Sequence, residues 1–402
     1  MMRKYINEFS KKLVLRSLKN ISDGTLLIIE GSNKYKFGSD KSLNAEIIVN
    51  NPRFYTEILL GGSIGASEAY IHRSWTSNDL TKVIQLMARN QSTMDSMEGP
   101  FRIIAAPFLR MFHALNRNTL YGSKKNIARH YDLSNKFFSL FLDSTMMYSS
   151  AIYPNKTSSI EVAAEYKLDV ICKKLDLNKS HRVVEIGSGW GGFAIYAAKN
   201  YGCHVTTTTI SKEQYKYVRE KIKHLKLEKH IKIIFKDYRE LTGKYDKLVS
   251  IEMIEAVGHK FYDSYFKKVS ELLNQNGDAL IQAITIRDQR YKQAIRSVDF
   301  IQKYIFPGSC IPSINVMQNA ITESGDMVIN DVRDIGHHYA KTLATWREKF
   351  TLNKKSIIKL GFDEKFLRMW RFYFCYCQGG FLEKSISTIH LHITKPDYRN
   401  KI

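Results

Sequence analysis

The residues with the clearest chemical meaning are Glu185, Gly187, Gly189, Gly191 and Gly192. They sit in the run Val183-Val184-Glu185-Ile186-Gly187-Ser188-Gly189-Trp190-Gly191-Gly192. Apolar, strand-like residues precede the glycines, and the helix-like Phe193-Ala194-Ile195-Tyr196-Ala197-Ala198-Lys199 follows. Glycine permits a sharp turn at such a junction, and its missing side chain lets a ligand lie against the main chain. The junction therefore predicts a bound small molecule. Glu185, at the tip of the strand, would offer its carboxylate to a ribose or to a positively charged group.

A dinucleotide site would add an acidic residue roughly 20 positions on, at the end of the second strand. Gly187, Gly189 and Gly192 fit the glycine spacing of such a site, so an NAD-dependent oxidoreductase is one alternative. The second strand, however, reads Cys203-His204-Val205-Thr206-Thr207-Thr208-Thr209-Ile210-Ser211 and ends in hydroxyls. An acid followed by glycines at every second position resembles the S-adenosylmethionine site of class I methyltransferases.

The elements that must hold this loop follow from the pattern after Lys125, where helix and strand alternate as in an open α/β sheet. Strands are expected at 181–186, 204–210, 231–235, 247–251, 279–285, 327–335 and 389–394. The fold class expected is α/β, a class I methyltransferase with a Rossmann-like seven-stranded sheet over residues 126–402. Residues 1–125 are expected to form a smaller N-terminal α+β domain with a linker. Within it, Leu26 to Phe37 reads as a hairpin around Gly31-Ser32-Asn33, and Glu46 to Val49 as another strand. Gly61-Gly62-Ser63-Ile64-Gly65 is expected to precede a helix. Residues 101–115, apolar with Arg102, Arg110 and Arg117 nearby, read as a segment packed between domains or an interfacial helix.

Composition bounds the partners. With 402 residues and 44% hydrophobic content the chain can bury a large core. The longest apolar run, Ile103 to Leu109, is interrupted by Pro107 and falls far below the roughly 18 residues of a membrane-spanning helix. The start of the chain lacks an export signal, and the five cysteines at 172, 203, 310, 375 and 377 suit reduced thiols, so a cytoplasmic location is expected. Cys375 and Cys377 have no second ligand pair, and no metal is expected. The net charge of +22 predicts attraction to a polyanion. Nine Lys or Arg face three Glu between Lys212 and Lys236, which fits a phospholipid surface or a solvated helix face. No RNA-binding signature or nucleic-acid methyltransferase motif accompanies the charge.

Further blocks extend the resemblance. They are His130-Tyr131-Asp132-Leu133-Ser134-Asn135, Met147-Tyr148-Ser149-Ser150-Ala151, Thr209-Ile210-Ser211-Lys212-Glu213-Gln214, Lys236-Asp237-Tyr238-Arg239, Met253-Ile254-Glu255-Ala256-Val257-Gly258, Tyr304-Ile305-Phe306-Pro307-Gly308 and Cys377-Gln378-Gly379-Gly380-Phe381. In this order they resemble the cyclopropane-fatty-acyl-phospholipid synthases and their mycolic acid relatives. The N-terminal third resembles the lipid-binding domain of the bacterial synthases. The resemblance implies an S-adenosylmethionine-dependent enzyme that methylates the double bond of an unsaturated phospholipid acyl chain and closes a cyclopropane. Its partners would be unsaturated phospholipid and anionic headgroups at the inner face of a membrane, with no nucleic acid; a homodimer is left open.

By the same resemblance, Tyr131, Tyr148 and Ser149 should close over the methionine part of the cofactor, with Gly187, Gly189 and Gly191 beneath it. Gln214 should approach the ribose, and Asp237 with Tyr238 the adenine. Aromatic faces for a transient cation could come from Tyr304, Phe306, Tyr339, Trp346, Phe372, Phe374 or Tyr376, although core packing is the commoner role of such residues. The synthases hold a bicarbonate ion in a cage of Cys, Glu, His and Tyr, and that ion takes the proton. Glu255 and Tyr339 match the cage, and Cys377 matches a further family cysteine. Ser150 stands at the cage Cys, Gln282 at the cage His, and Ala256 replaces the His of a Glu-His pair. Ser and Gln can still donate to an anion. Without bicarbonate, loss of a proton from the chain itself would give a methyl- or methylene-branched product. A non-catalytic lipid-binding protein is the remaining alternative.

Overall fold

Leu26 to Ile29 form the centre of β1 (Thr25–Glu30), which turns at Gly31, φ 57°, into β2 (Asn33–Phe37). The computed structural model describes residues 2–96 and 133–399. β3 (Asn44–Val49) runs parallel to β1, and β4 (Trp75–Thr76) antiparallel to β3, giving the order β2-β1-β3-β4. Between β3 and β4 the helical segment begins at Arg53, earlier than the glycine-rich stretch suggests, and runs to Ile71 with a break at Gly62 (φ 55°, ψ −135°). That break folds the helix back on itself. A Cβ on Gly65 would lie 1.9 Å from the Glu57 carbonyl oxygen, so only glycine fits there.

Contacts divide the described chain into two units. The first holds residues 2–96, 296–305 and 346–385, and the second holds 133–295, 306–345 and 386–399. A single cut at residue 125 thus does not follow the packing. In the first unit, the helix Glu364–Leu382 packs on Leu80–Arg89, where a Cβ on Gly379 would meet Ile84 at 2.7 Å. Arg368 donates to the Tyr70 carbonyl (2.7 Å), and Phe372 packs on Phe300 and Tyr70.

The second unit is built on β5 (Arg182–Ile186), β6 (His204–Thr209), β7 (Ile231–Phe235), β8 (Tyr245–Ile251), β9 (Leu273–Ile286), β10 (Val328–Asp334) and β11 (Ile386–Thr394). Their order is β10-β11-β9-β8-β5-β6-β7. β7, β6, β5, β8 and β9 are parallel, and β11 lies antiparallel between β9 and β10. Alternation along β5 supplies both faces. Val183 packs with Phe193 and Val218 on one side, and Val184 with Phe266 and Ile321 on the other. Each such buried aliphatic side chain contributes roughly 1.5–3 kcal/mol. Strand order reverses at β5, so the crevice beyond the carboxyl ends of β5 and β8 is the place for a ligand. Among the described residues, no helix is long and apolar enough to cross a membrane.

Candidate active site

Beyond Ile186 the chain turns through Gly187 (φ 95°), Gly189 (49°) and Gly191 (83°) into the helix Gly192–Tyr201. A Cβ on Gly187 would stand 3.1 Å from Met253, and one on Gly191 3.1 Å from Val218. Over Gly189 it would meet nothing within 4 Å. The main chain is therefore bare at Gly189, as a cofactor lying along the loop requires.

Glu185 does not face outward. Only 2% exposed, it accepts from Thr207 Oγ1 at 2.6 Å across the paired strand β6, and burial pushes its pKa up to about 8. Gln214 follows the capping Ser211, and its amide oxygen accepts from Thr209 Oγ1 (2.8 Å). Asp237 caps the turn Tyr238–Glu240, and both its oxygens are held by Arg239, at 2.8 and 2.7 Å. The Tyr238 ring meets Tyr265 edge-on in the core. Tyr148 lies among Phe138, Phe141 and Phe306. Tyr131 and residues 101–115 lie outside the described residues.

The centre of the second unit's polar network is Glu252, one residue past β8. Its Oε1 accepts from the Ser150 backbone N–H (2.9 Å) and from Gln282 Nε2 (2.7 Å), and its Oε2 accepts from the Tyr339 hydroxyl (2.8 Å). Its backbone is left-handed, φ 49°, a conformation that costs a non-glycine residue roughly 1–2 kcal/mol. Three of the four groups expected to cage a bicarbonate thus converge on a side chain of the protein. Their donors are already engaged, and a bicarbonate ion does not fit among them. Ser150 contributes through its main chain, since its hydroxyl donates to the Ala151 carbonyl (3.0 Å).

The orientation of Gln282 is set from the next strand. Burial holds His390 neutral, its pKa pushed down to about 3, and its Nε2 lies 3.0 Å from the Gln282 amide oxygen. The bond assigns the proton to Nε2 and turns the amide NH2 toward Glu252. Glu255, the carboxylate expected in the cage, stands beside the network instead. One of its oxygens accepts from the Ile284 N–H, and the other is buried without a partner. Burial and then the charge of Glu252 push its pKa up to about 8. Lys167, fully buried on the helix Ile160–Lys174, donates to Ser149 Oγ at 2.8 Å. Burial pushes its pKa down to about 8, against the opposing pull of Glu252, Asp143 and Glu185.

Cys377 belongs to the first unit, where burial pushes its thiol up and keeps it protonated. Tyr304, Trp346, Phe372, Phe374 and Tyr376 are also in the first unit, whereas Phe306 and Tyr339 share the second with the glycine loop. Among the described residues, no His/Cys/Asp/Glu group could hold a metal. Sequence reasoning missed Glu252, Lys167 and His390. For Glu252 the signal was present: a carboxylate on the first residue after an apolar parallel strand sits where such sheets bind ligands.

The strand order, the antiparallel β11 and the open glycine turn after β5 define a class I, S-adenosylmethionine-dependent methyltransferase. A profile described as mycolic acid cyclopropane synthetase matches residues 119–391, and the chain belongs to that family. The tuberculostearic acid methyltransferase UfaA1 of Mycobacterium tuberculosis is 34% identical over 328 residues, 80% of this chain and 76% of that protein. The cyclopropane-fatty-acyl-phospholipid synthase of Escherichia coli K12 is 35% identical over 349 residues, 86% of each. Among solved structures, mycolic acid cyclopropane synthase CmaA1, complexed with SAH and CTAB, superposes with a TM-score of 0.63 at 28% identity. That match covers 68% of this chain and 98% of the other.

Proposed function

We propose that this enzyme transfers a one-carbon unit from S-adenosylmethionine to the double bond of an unsaturated acyl chain in a membrane phospholipid, forming a cyclopropane fatty acid. When bound, S-adenosylmethionine supplies an electrophilic methyl group on a sulfonium centre. The observation that carries the reading is the bare main chain at Gly189, two residues beyond Gly187, on which Met253 of the segment after β8 packs. Tyr148 and Ser149 would border the methionine end of the cofactor, and Gln214 and Asp237 the adenosine end. The 35% identity to a cyclopropane-fatty-acyl-phospholipid synthase supports the lipid substrate. The first unit would present the acyl chain at an anionic membrane surface.

A second reading is C-methylation with the double bond retained. It is favoured by Gln282 and Ser150 at the cage positions and by the 34% identity to a tuberculostearic acid methyltransferase. Mass spectrometry of lipids from a host lacking its own synthase and expressing this chain separates the two. A gain of CH2 with loss of the alkene is expected for the first reading, and the same gain with the alkene kept for the second. Unchanged lipids would reject both.

A further inference from the structure

The geometry points to Glu252 as the enzyme's own proton acceptor, standing where relatives are expected to hold a bicarbonate ion, so that turnover needs no free anion. The inference rests on the methyl-transfer reading above.

A carboxylate and a bicarbonate ion present the same planar pair of oxygens to hydrogen-bond donors. Here that pair belongs to Glu252, with Ser150 N–H and Gln282 Nε2 on one oxygen and Tyr339 on the other. Every donor is neutral, and Gln282 cannot give up its proton as an imidazolium would. They stabilise an anion without quenching it. His390 fixes the amide so that its NH2, not its oxygen, faces the carboxylate. The left-handed backbone at Glu252 supplies the remaining constraint: a strained conformation held in place by its side-chain contacts marks a position under functional demand.

Placement agrees. Glu252 leaves β8 beside the end of β5, and its neighbour Met253 packs under Gly187. Glu255 cannot take the role together with Glu252, because adjacent buried carboxylates resist double ionisation. Its one bonded oxygen is held by the main chain of Ile284.

The step balances. A Glu252 oxygen takes a proton from the methylated, cationic acyl chain, forming O–H as C–H breaks. If the proton leaves the new methyl, the freed electron pair closes the three-membered ring. If it leaves a neighbouring chain carbon, the pair forms a double bond in a branched product. The neutral Glu252 then returns its proton to water.

The test uses the full chain with unsaturated phospholipid vesicles and S-adenosylmethionine in carbonate-depleted buffer. Wild-type turnover is expected to be unaffected by depletion. Glu252→Gln should lose about 100-fold or more in turnover, the scale of a general base. Glu252→Gly should fall equally and regain turnover with added sodium bicarbonate or acetate. Carbon-13 bicarbonate NMR gives a readout apart from activity: no binding to wild type, binding to Glu252→Gly, with cofactor affinity by calorimetry showing that the variant is folded. Bicarbonate-dependent wild-type turnover, bicarbonate binding to wild type, or full activity of Glu252→Gln would overturn the inference. If wild type methylates no lipid, the proposed function fails, and the NMR comparison still decides whether Glu252 fills the anion site.

Discussion

Two carboxylates three residues apart, Glu252 and Glu255, have opposite surroundings: the first is held by three donors, and the second is buried with one oxygen alone. Glu255 is therefore the group held protonated near neutrality. The sign of its linkage follows. A carboxyl whose folded pKa is raised to about 8 contributes stability in full below its ordinary 4.5, and that contribution is lost as pH rises through about 8. Glu185, raised likewise by burial, acts in the same window. Denaturation midpoints measured from pH 4.5 to 8.5 should fall for wild type and fall less for Glu255→Gln; identical slopes would contradict the burial of a neutral Glu255. At Gly189 an alanine would place its Cβ in open space on a left-handed backbone, costing about 1–2 kcal/mol. Calorimetry should show roughly tenfold weaker cofactor binding for Gly189→Ala, because the added Cβ stands in the open space along which the cofactor would lie, while the backbone strain lowers the stability of the fold. Loss of affinity no greater than that of an exposed-loop variant would place the cofactor elsewhere.

The strands divide into a chemical end and a structural end. Gln282 and Glu252 lie toward the carboxyl ends of β9 and β8, whereas Asp278 lies earlier on β9, fully buried between Lys247 on β8 and His392 on β11, each at 2.8 Å. Removing one partner of a buried charge pair costs about 3–5 kcal/mol because the other charge is stranded. Asp278→Ala should lower the unfolding free energy on that scale in urea, while turnover per folded molecule below the transition stays near wild type. A large loss of turnover in the folded variant would assign the cluster a chemical role. Most strands were visible in the sequence because each is a local run of β-branched and apolar residues; β7 is found at 231–235 as expected. The helical start at Arg53 was not, because the glycines around the break at Gly62 read as a loop, and only the packing of Gly65 on Glu57 shows that helix lies on both sides of it.

At the scale of the molecule, the net charge of +22 acts through a field that salt screens within about 8 Å at physiological ionic strength. If this field docks the enzyme on anionic lipid, cosedimentation with phosphatidylglycerol vesicles should fall steeply as sodium chloride is raised, and neutral vesicles should bind little. Salt-insensitive cosedimentation would instead indicate apolar insertion.

In the sequence, the α/β class and the glycine turn were legible because each resides in local runs whose pattern is itself the signal, and the cofactor and the family were legible through the resemblance of its ordered blocks. Tertiary structure decided what those residues face. The first unit gathers residues 296–305 and 346–385 with the N-terminal segment because the apolar face of Glu364–Leu382 packs there. The cage is assembled from positions 150, 252, 282, 339 and 390, which meet only when β8, β9 and β11 pair side by side. A side chain's hydrogen-bond partners are a property of that pairing, so although the place of Glu252 after β8 was visible in the sequence, its taking the centre of the network from Glu255 was decided by the folded sheet.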